Sequence, residues 1–525
     1  MTSVAKRIGR AIDTATEADD RDVRPLPFPG AFAFVGSGCL LVLEIIAGRI
    51  VAPELGNSLY TWTSVIGVVL AGLSIGNWVG GRIADWRPGR SVLSLLYLLS
   101  GISAGIVLVL SKSLDSIAAP VSWGAEWQVL WLTTILFFPP SVLLGTITPM
   151  IVKLQLSSLQ DTGRVVGQIQ AAATLGSIVG VFATGFVLIS AFGTRPVIAG
   201  VAVALLALAV LANPFWERRP GGAAMRINVA LASLIAGVFT IGVAATYDSP
   251  CWDESNYYCI GVFQEGPYKV LALDMLIHGY VSVEDPNVPV YPYEKVYRAV
   301  LDAKYPKSKP VQGFGIGGGA FTFPRYLERA HPGHVLIAEI DKQVAEVARK
   351  EFFFKDSPRV EVIYKDARPA LRDRPKDERY DVVLGDAFGD IAIPYHLATR
   401  EFNELVRDRL KPDGVYLVTV VDGVNYEFLR SYIHTMRDTF PYVDLLAVPG
   451  EAGGGARATF VVGASKQPLP RTETTASPEQ LDAFLAERDT VTLTDDYAPV
   501  DQLLAPVFRQ RLHEDVSGGE AGHTN

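Results

Sequence analysis

The stretch GFGIGGGAF (313–321) decides how the second half of this chain is read. An apolar strand runs into three consecutive glycines, Gly317, Gly318 and Gly319, and a helix pattern comes after them. Such a turn brings backbone N–H groups close to a ligand, and the helix N-terminus favours electronegative atoms. Any tight strand-to-helix turn favours glycine, so the weight falls on three acidic strand ends further along the chain. AEID (338–341), KDA (365–367) and YDVVLGD (380–386) each end an apolar strand on an acid. An acid at the end of the second strand, where Glu339 and Asp341 stand, suits two ribose hydroxyls, and otherwise reads as a solvated strand end. Asp366 then faces an adenine amino group. Asp386 falls on the rim where open α/β sheets bind ligands, and is the natural general base. Taken singly, each acid also reads as a helix N-cap.

Outward from this stretch, strands and helices alternate from 311 to VYLVTVVD (415–422), which predicts a parallel, doubly wound sheet. The Rossmann-like domain is bounded at 291–465. YYCIGVFQ (257–264) and YKVLALD (268–274) alternate like paired strands and define a β-rich lead-in at 247–290. The C-terminal segment, 466–525, holds LTDDYAPVDQLL (493–504), which reads as a docking segment before a disordered end.

The first half reads differently. About seven apolar stretches lie at 30–52, 60–84, 91–111, 129–152, 165–190, 196–213 and 227–246, each near the 20 or so residues that span a bilayer. The fold class is therefore an N-terminal polytopic helical membrane bundle (30–246) plus a C-terminal α/β doubly wound, methyltransferase-like domain. Residues 1–29 form a polar tail without a signal-peptide pattern. Gly72, Gly76 and Gly80, then Gly176 and Gly180, repeat at the four-residue spacing of close helix packing. Pro139, Pro140 and Pro149 predict a kinked fourth span. Lys and Arg cluster before span one and after spans two, four and six, which places the N-terminus in the cytoplasm. Seven spans then send the C-terminal domain outside, whereas the supply of an adenosyl cofactor points to the cytoplasm, so its side stays open. Glu44, Arg49 and Asp85 are ionisable within or beside these spans: either a structural ion pair or a transport path.

A net charge of −8 with no basic run excludes a nucleic-acid partner. Three cysteines are too few for a disulfide framework. Cys251 and Cys259 flank a polar segment after the last span; they either bridge on an oxidising face or stand as unrelated thiols. Scattered histidines offer no metal site.

GIGGGAF, AEID, KDA and YDVVLGDAFGD resemble the signature stretches of spermidine synthases, the polyamine aminopropyltransferases. LEIIAGRIVAPELGNSLYTWTSVIGVVLAGLSIGNWVGGRIAD (43–85) and LTDDYAPVDQLL resemble the membrane-fused branch of that family. The resemblance implies that Gly317–Gly319 wrap the methionine-derived part of decarboxylated S-adenosylmethionine or S-adenosylmethionine, and that Asp386 takes a proton from an attacking amine. It implies substrate-binding roles for His278, Tyr293 and Asp390, a small-molecule amine and the lipid bilayer as partners, no metal, and a homodimer. The departures fall on the amine side. Ala320 stands where soluble members have Asp, His278 where they have Gln, and Gly389 where they have a second Asp, with Asp390 one residue late. Three activities are compatible with this pattern: aminopropyl transfer from such a donor to an amine, methyl transfer onto an amphiphile, or a non-catalytic role as membrane sensor or transporter.

Overall fold

The computed structural model describes residues 25–507 except 56–58, 113, 118–124, 157, 214–222, 247–250, 275, 389–391, 424 and 451–456. Most of the polar tail, Asp390 and the end of the C-terminal segment therefore lie outside the described residues. The chain divides into two compact units, with the boundary at residues 249–250.

The first unit is a helical bundle. Its main elements are α1 (Pro29–Leu55), α2 (Leu59–Trp86), α3 (Arg90–Leu110), α4 (Ala125–Gly145), α5 (Ile147–Gln155), α6 (Thr162–Ala183), α7 (Thr194–Ala212) and α8 (Ala223–Ala245). Among the described residues seven helical runs are long and apolar enough to cross a membrane, with α4 and α5 forming one run. Helices rather than strands suit such segments because a span must satisfy its own backbone groups. The glycine repeats mark where backbones meet. A Cβ on Gly76 would lie 2.2 Å from the Val142 carbonyl oxygen of α4, and one on Gly176 would lie 1.9 Å from that of Phe34 in α1. α4 continues through Pro139 and Pro140 and breaks only at Thr146. At the end of α2, Asp85 pairs with Lys153 of α5 at 2.9 Å.

The second unit begins with a four-stranded antiparallel sheet, β1 (Asp253–Glu254), β2 (Cys259–Glu265), β3 (Tyr268–Leu273) and β4 (Leu276–Ser282), in sequence order. Cys251 and Cys259 form a disulfide that closes the β1–β2 turn. Then come α9 (Pro292–Lys304), β5 (Val311–Ile316), α10 (Thr322–Ala330), β6 (Gly333–Glu339), α11 (Lys342–Glu351), β7 (Val360–Tyr364), α12 (Ala367–Arg372), β8 (Tyr380–Gly385), α13 (Arg400–Arg409), β9 (Leu410–Asp422), α14 (Glu427–Arg437), β10 (Tyr442–Ala447), β11 (Ala458–Ser465) and α15 (Pro478–Ala486). The main sheet has the order β10-β11-β9-β8-β5-β6-β7. Its strands alternate between two cores. Phe314, Ile316, Leu336 and Val383 enter one, and Val311, Val335, Ile337 and Val382 enter the other.

The strands β5 to β9 run parallel, as their alternation with helices predicts, and the later strand β11 departs from that pattern. β11 runs antiparallel to both β9 and β10. The connection 448–457 is shorter than the dozen or so residues a parallel crossover needs, so β11 returns as a hairpin. The chain then packs Leu493, Val500 and Leu504 into the same core as Phe402. β5 lies between β6 and β8, so successive strands leave it in opposite directions and open a crevice at its C-terminal end.

Candidate active site

The crevice holds a cavity of about 290 Å³. β5 ends at Ile316, and Gly317 turns with φ +89°, its N–H donating to the Ala338 carbonyl at 2.9 Å. A Cβ there would lie 2.6 Å from the Asp386 carbonyl oxygen, so only glycine fits between β5 and β8. Gly319 also has positive φ. The turn is fastened by Glu339. One carboxylate oxygen accepts from Gly318 N–H at 2.8 Å, and the other accepts from Asp341 N–H at 2.9 Å. Each oxygen keeps a lone pair for a ligand hydroxyl.

Asp366 caps α12 through the Arg368 N–H at 2.9 Å and meets His396 Nε2 at 2.7 Å. Asp386 comes directly after β8, and its Oδ2 accepts from the Tyr293 hydroxyl at 2.6 Å. The lead-in sheet supplies the remaining wall. Tyr257, Tyr258, Asp274 and His278 line the cavity. The Tyr258 hydroxyl donates to the Phe388 carbonyl at 3.0 Å, and Ser255 bonds Asp341, so the disulfide loop is sewn to the strand ends.

Burial sets the electrostatics. It pushes the Asp386 carboxyl up to about 7; the Tyr293 hydrogen bond opposes this and the neighbouring Glu339 adds to it. Burial raises Glu339 to about 7 against the backbone N–H bonds it accepts from Asp341, Gly318 and Ile340. Burial also pushes His278 down to about 4, with Arg457 adding to the effect, so its imidazole is neutral. Its Nε2 has no hydrogen-bond partner among the described residues. Burial works to raise Asp366, but His396 and the Arg368 N–H hold it below its ordinary value. These shifts carry a stability sign. A carboxyl whose folded pKa is raised contributes stability below its unfolded value near 4 and loses it as pH rises through about 7. Asp386→Asn is therefore expected to raise the melting temperature of the ligand-free protein more at pH 8 than at pH 5. Equal shifts at both values would contradict this.

Of the sequence-predicted residues, Gly317, Gly319, His278, Glu339, Asp366 and Asp386 line one cavity, and Gly318 is tied to it through Glu339. Tyr293 is buried behind Asp386 and is not part of the cavity wall. Asp390 lies outside the described residues. Ala320, in the position of the family's Asp, is buried, its Cβ 2.6 Å from where one on Gly279 would stand. Sequence reasoning missed Tyr257, Tyr258 and His396. The tyrosines lie in a short segment that the sequence marks only by its two cysteines, and nothing in IPYHLAT (393–399) singles out its histidine. A glycine turn that excludes side chains, with the Glu339 and Asp366 carboxylates on the same cavity wall, fits an adenosyl group. Among the described residues no cluster of three metal-ligating side chains occurs.

Residues 307–469 match the family model described as Spermine/spermidine synthase domain. The polyamine aminopropyltransferase of Vibrio vulnificus is 26% identical over 294 residues, 53% of this chain and 94% of that protein. Polyamine aminopropyltransferase 2 of Streptomyces coelicolor is 25% identical over 495 residues, 85% of this chain and 86% of that protein, so the likeness extends into the helical half. A probable spermidine synthase from Corynebacterium glutamicum superposes with a TM-score of 0.37 at 21% identity, over 47% of this chain and 89% of that one. Over its C-terminal region the chain is therefore similar to the spermine/spermidine synthase domain and to the polyamine aminopropyltransferases.

Proposed function

We propose that the chain is a membrane-anchored transferase that moves an aminopropyl group from a decarboxylated S-adenosylmethionine-type donor to an amine and releases methylthioadenosine. The observation that carries this reading is the place of Asp386, a half-buried carboxyl pushed up to about 7, on the wall of the same cavity as the glycine turn, Glu339 and Asp366. In the reaction a neutral amine nitrogen attacks the carbon beside the sulfonium. The C–N bond forms, the C–S bond breaks, and its electron pair neutralises the sulfur. Asp386 orients the amine and takes its proton. A base with a pKa near the working pH suits this step, and its fixed position replaces a bimolecular encounter. The adenosyl group, when bound, supplies the sulfonium leaving group; Glu339 and Asp366 hold its sugar and base.

The product decides the reading. Purified protein given such a donor and a diamine should release methylthioadenosine. Release of adenosylhomocysteine from S-adenosylmethionine would replace it with methyl transfer, a reading motivated by Ala320. Absence of any turnover would favour a sensor or transporter.

We also propose that the seven apolar helices anchor the protein in the cell membrane and that the catalytic domain faces away from the cytoplasm, an orientation that requires the adenosyl donor to reach that side. The basic clusters, the odd number of spans and the Cys251–Cys259 bridge support this orientation. In intact cells an impermeant thiol reagent should label these cysteines only after mild reduction. Labelling only after lysis, without reduction, would place the domain in the cytoplasm.

A further inference from the structure

Two surfaces close the cavity from different parts of the chain, and one of them is held from a distance. Pro394, His396 and Leu397 form the wall beside Asp366. They belong to the segment 392–399 before α13, which holds one short 3-10 turn, Tyr395–Leu397. What fixes it is the C-terminal segment. Asp495 takes both ends of the Arg368 guanidinium, at 2.7 and 2.6 Å. The same carboxylate accepts from the Thr399 hydroxyl at 2.8 Å, at the far end of the loop. Arg368 also donates to the His396 carbonyl at 3.1 Å, while its own N–H holds Asp366. Around this knot the Asp495 N–H reaches Glu401 at 3.0 Å, and the Arg400 N–H reaches the Leu493 carbonyl at 2.8 Å. Asp495 does not line the cavity, yet one carboxylate joins the start of α12 to both the middle and the end of the loop. A bidentate carboxylate–guanidinium pair fixes orientation as well as distance, which a single contact does not.

We propose that Asp495 is a positioning residue for the nucleobase end of the pocket: through Arg368 and Thr399 it holds the loop 392–399 so that His396 and Asp366 present one fixed pair to the ligand. The proposal rests on the transferase reading for the identity of that ligand. His396 and Asp366 touch the bound nucleoside; Asp495 acts only through them. Loss of the fork lets the loop shift and loosens the pair that faces the ligand.

The experiment uses the full chain with Asp495→Asn, which keeps the shape and loses the charge, and Arg368→Lys, which keeps the charge and loses the fork. Two quantities are read. Hydrogen exchange over residues 392–399 reports the strap without any ligand, and titration with methylthioadenosine reports the site. Both variants should exchange faster in this loop, with β5 and β8 unchanged, and should bind methylthioadenosine roughly 10- to 100-fold more weakly, the loss of about one hydrogen bond to a charged group. KM for the donor should rise while kcat at saturation stays within about threefold, because Asp386 is untouched. Unchanged exchange in both variants overturns the proposal. So does faster exchange with unchanged binding, because the loop then moves without consequence for the site. Wild-type protein that fails to bind methylthioadenosine overturns the transferase reading and this proposal with it, and that result is distinct from either variant-specific null.

Discussion

Asp386→Asn is expected to lower kcat by about 10²- to 10⁴-fold while leaving methylthioadenosine binding nearly unchanged. The amide keeps the volume and still accepts the Tyr293 hydroxyl, so the geometry behind the site survives. What disappears is the acceptor for the amine's proton. The pH profile gives a second readout. Because burial holds the wild-type carboxyl at about 7, kcat/KM should fall as pH drops below that value and level off above it. In the variant this limb should vanish. Activity within tenfold of wild type, or an unaltered acidic limb, would remove Asp386 from the role of base.

Gly317→Ala should abolish measurable nucleoside binding and destabilise the domain by roughly 1–3 kcal/mol. Two causes act together. The residue sits at φ +89°, where an L side chain is strained, and its new methyl would approach the Asp386 carbonyl to 2.6 Å. β5 and β8 must then separate where the base and the glycine turn meet. Gly450 separates these causes: its φ is +87°, and nothing lies within 4 Å of an added Cβ. Gly450→Ala therefore carries strain without the clash and should leave nucleoside binding intact. Equal binding by the two variants would show that the close approach at Gly317 is not needed for the nucleoside site. Thermal melts and methylthioadenosine titration measure both effects.

The sequence was legible where one local rule sufficed. Long apolar runs mark the helices, and apolar strands ending in acids mark the α/β domain, because parallel strands deliver their C-terminal ends to one edge. That convergence is why Glu339, Asp366 and Asp386, far apart in the chain, face one cavity. The rest depends on tertiary placement. Tyr258 reaches the site only because Ser255 anchors its loop to Asp341. His396 reaches it through a loop fixed by Asp495. No spacing links these residues, so one sequence cannot pair them. β11 was missed for a different reason: alternation predicts strands but not the direction in which a short connection returns the chain.

The glycine seams of the helical half bear on the order of assembly during synthesis. α1 packs against α6, and Ser177 comes 140 residues after Ser37, whose carbonyl it meets. At the ribosome's pace of roughly 5–20 residues per second, α1 waits about 7–28 s before the helix that covers its seam exists. α2 waits less, since α4 is nearer in the chain. The bundle therefore closes around α2 and α4 first and is completed when α6 arrives beside α1. A chain stalled between these events exposes the α1 backbone seam to whatever neighbour is present. Substitutions at Gly38 or Gly180 should accordingly act on the yield of assembled protein more than on the activity of the molecules that complete it.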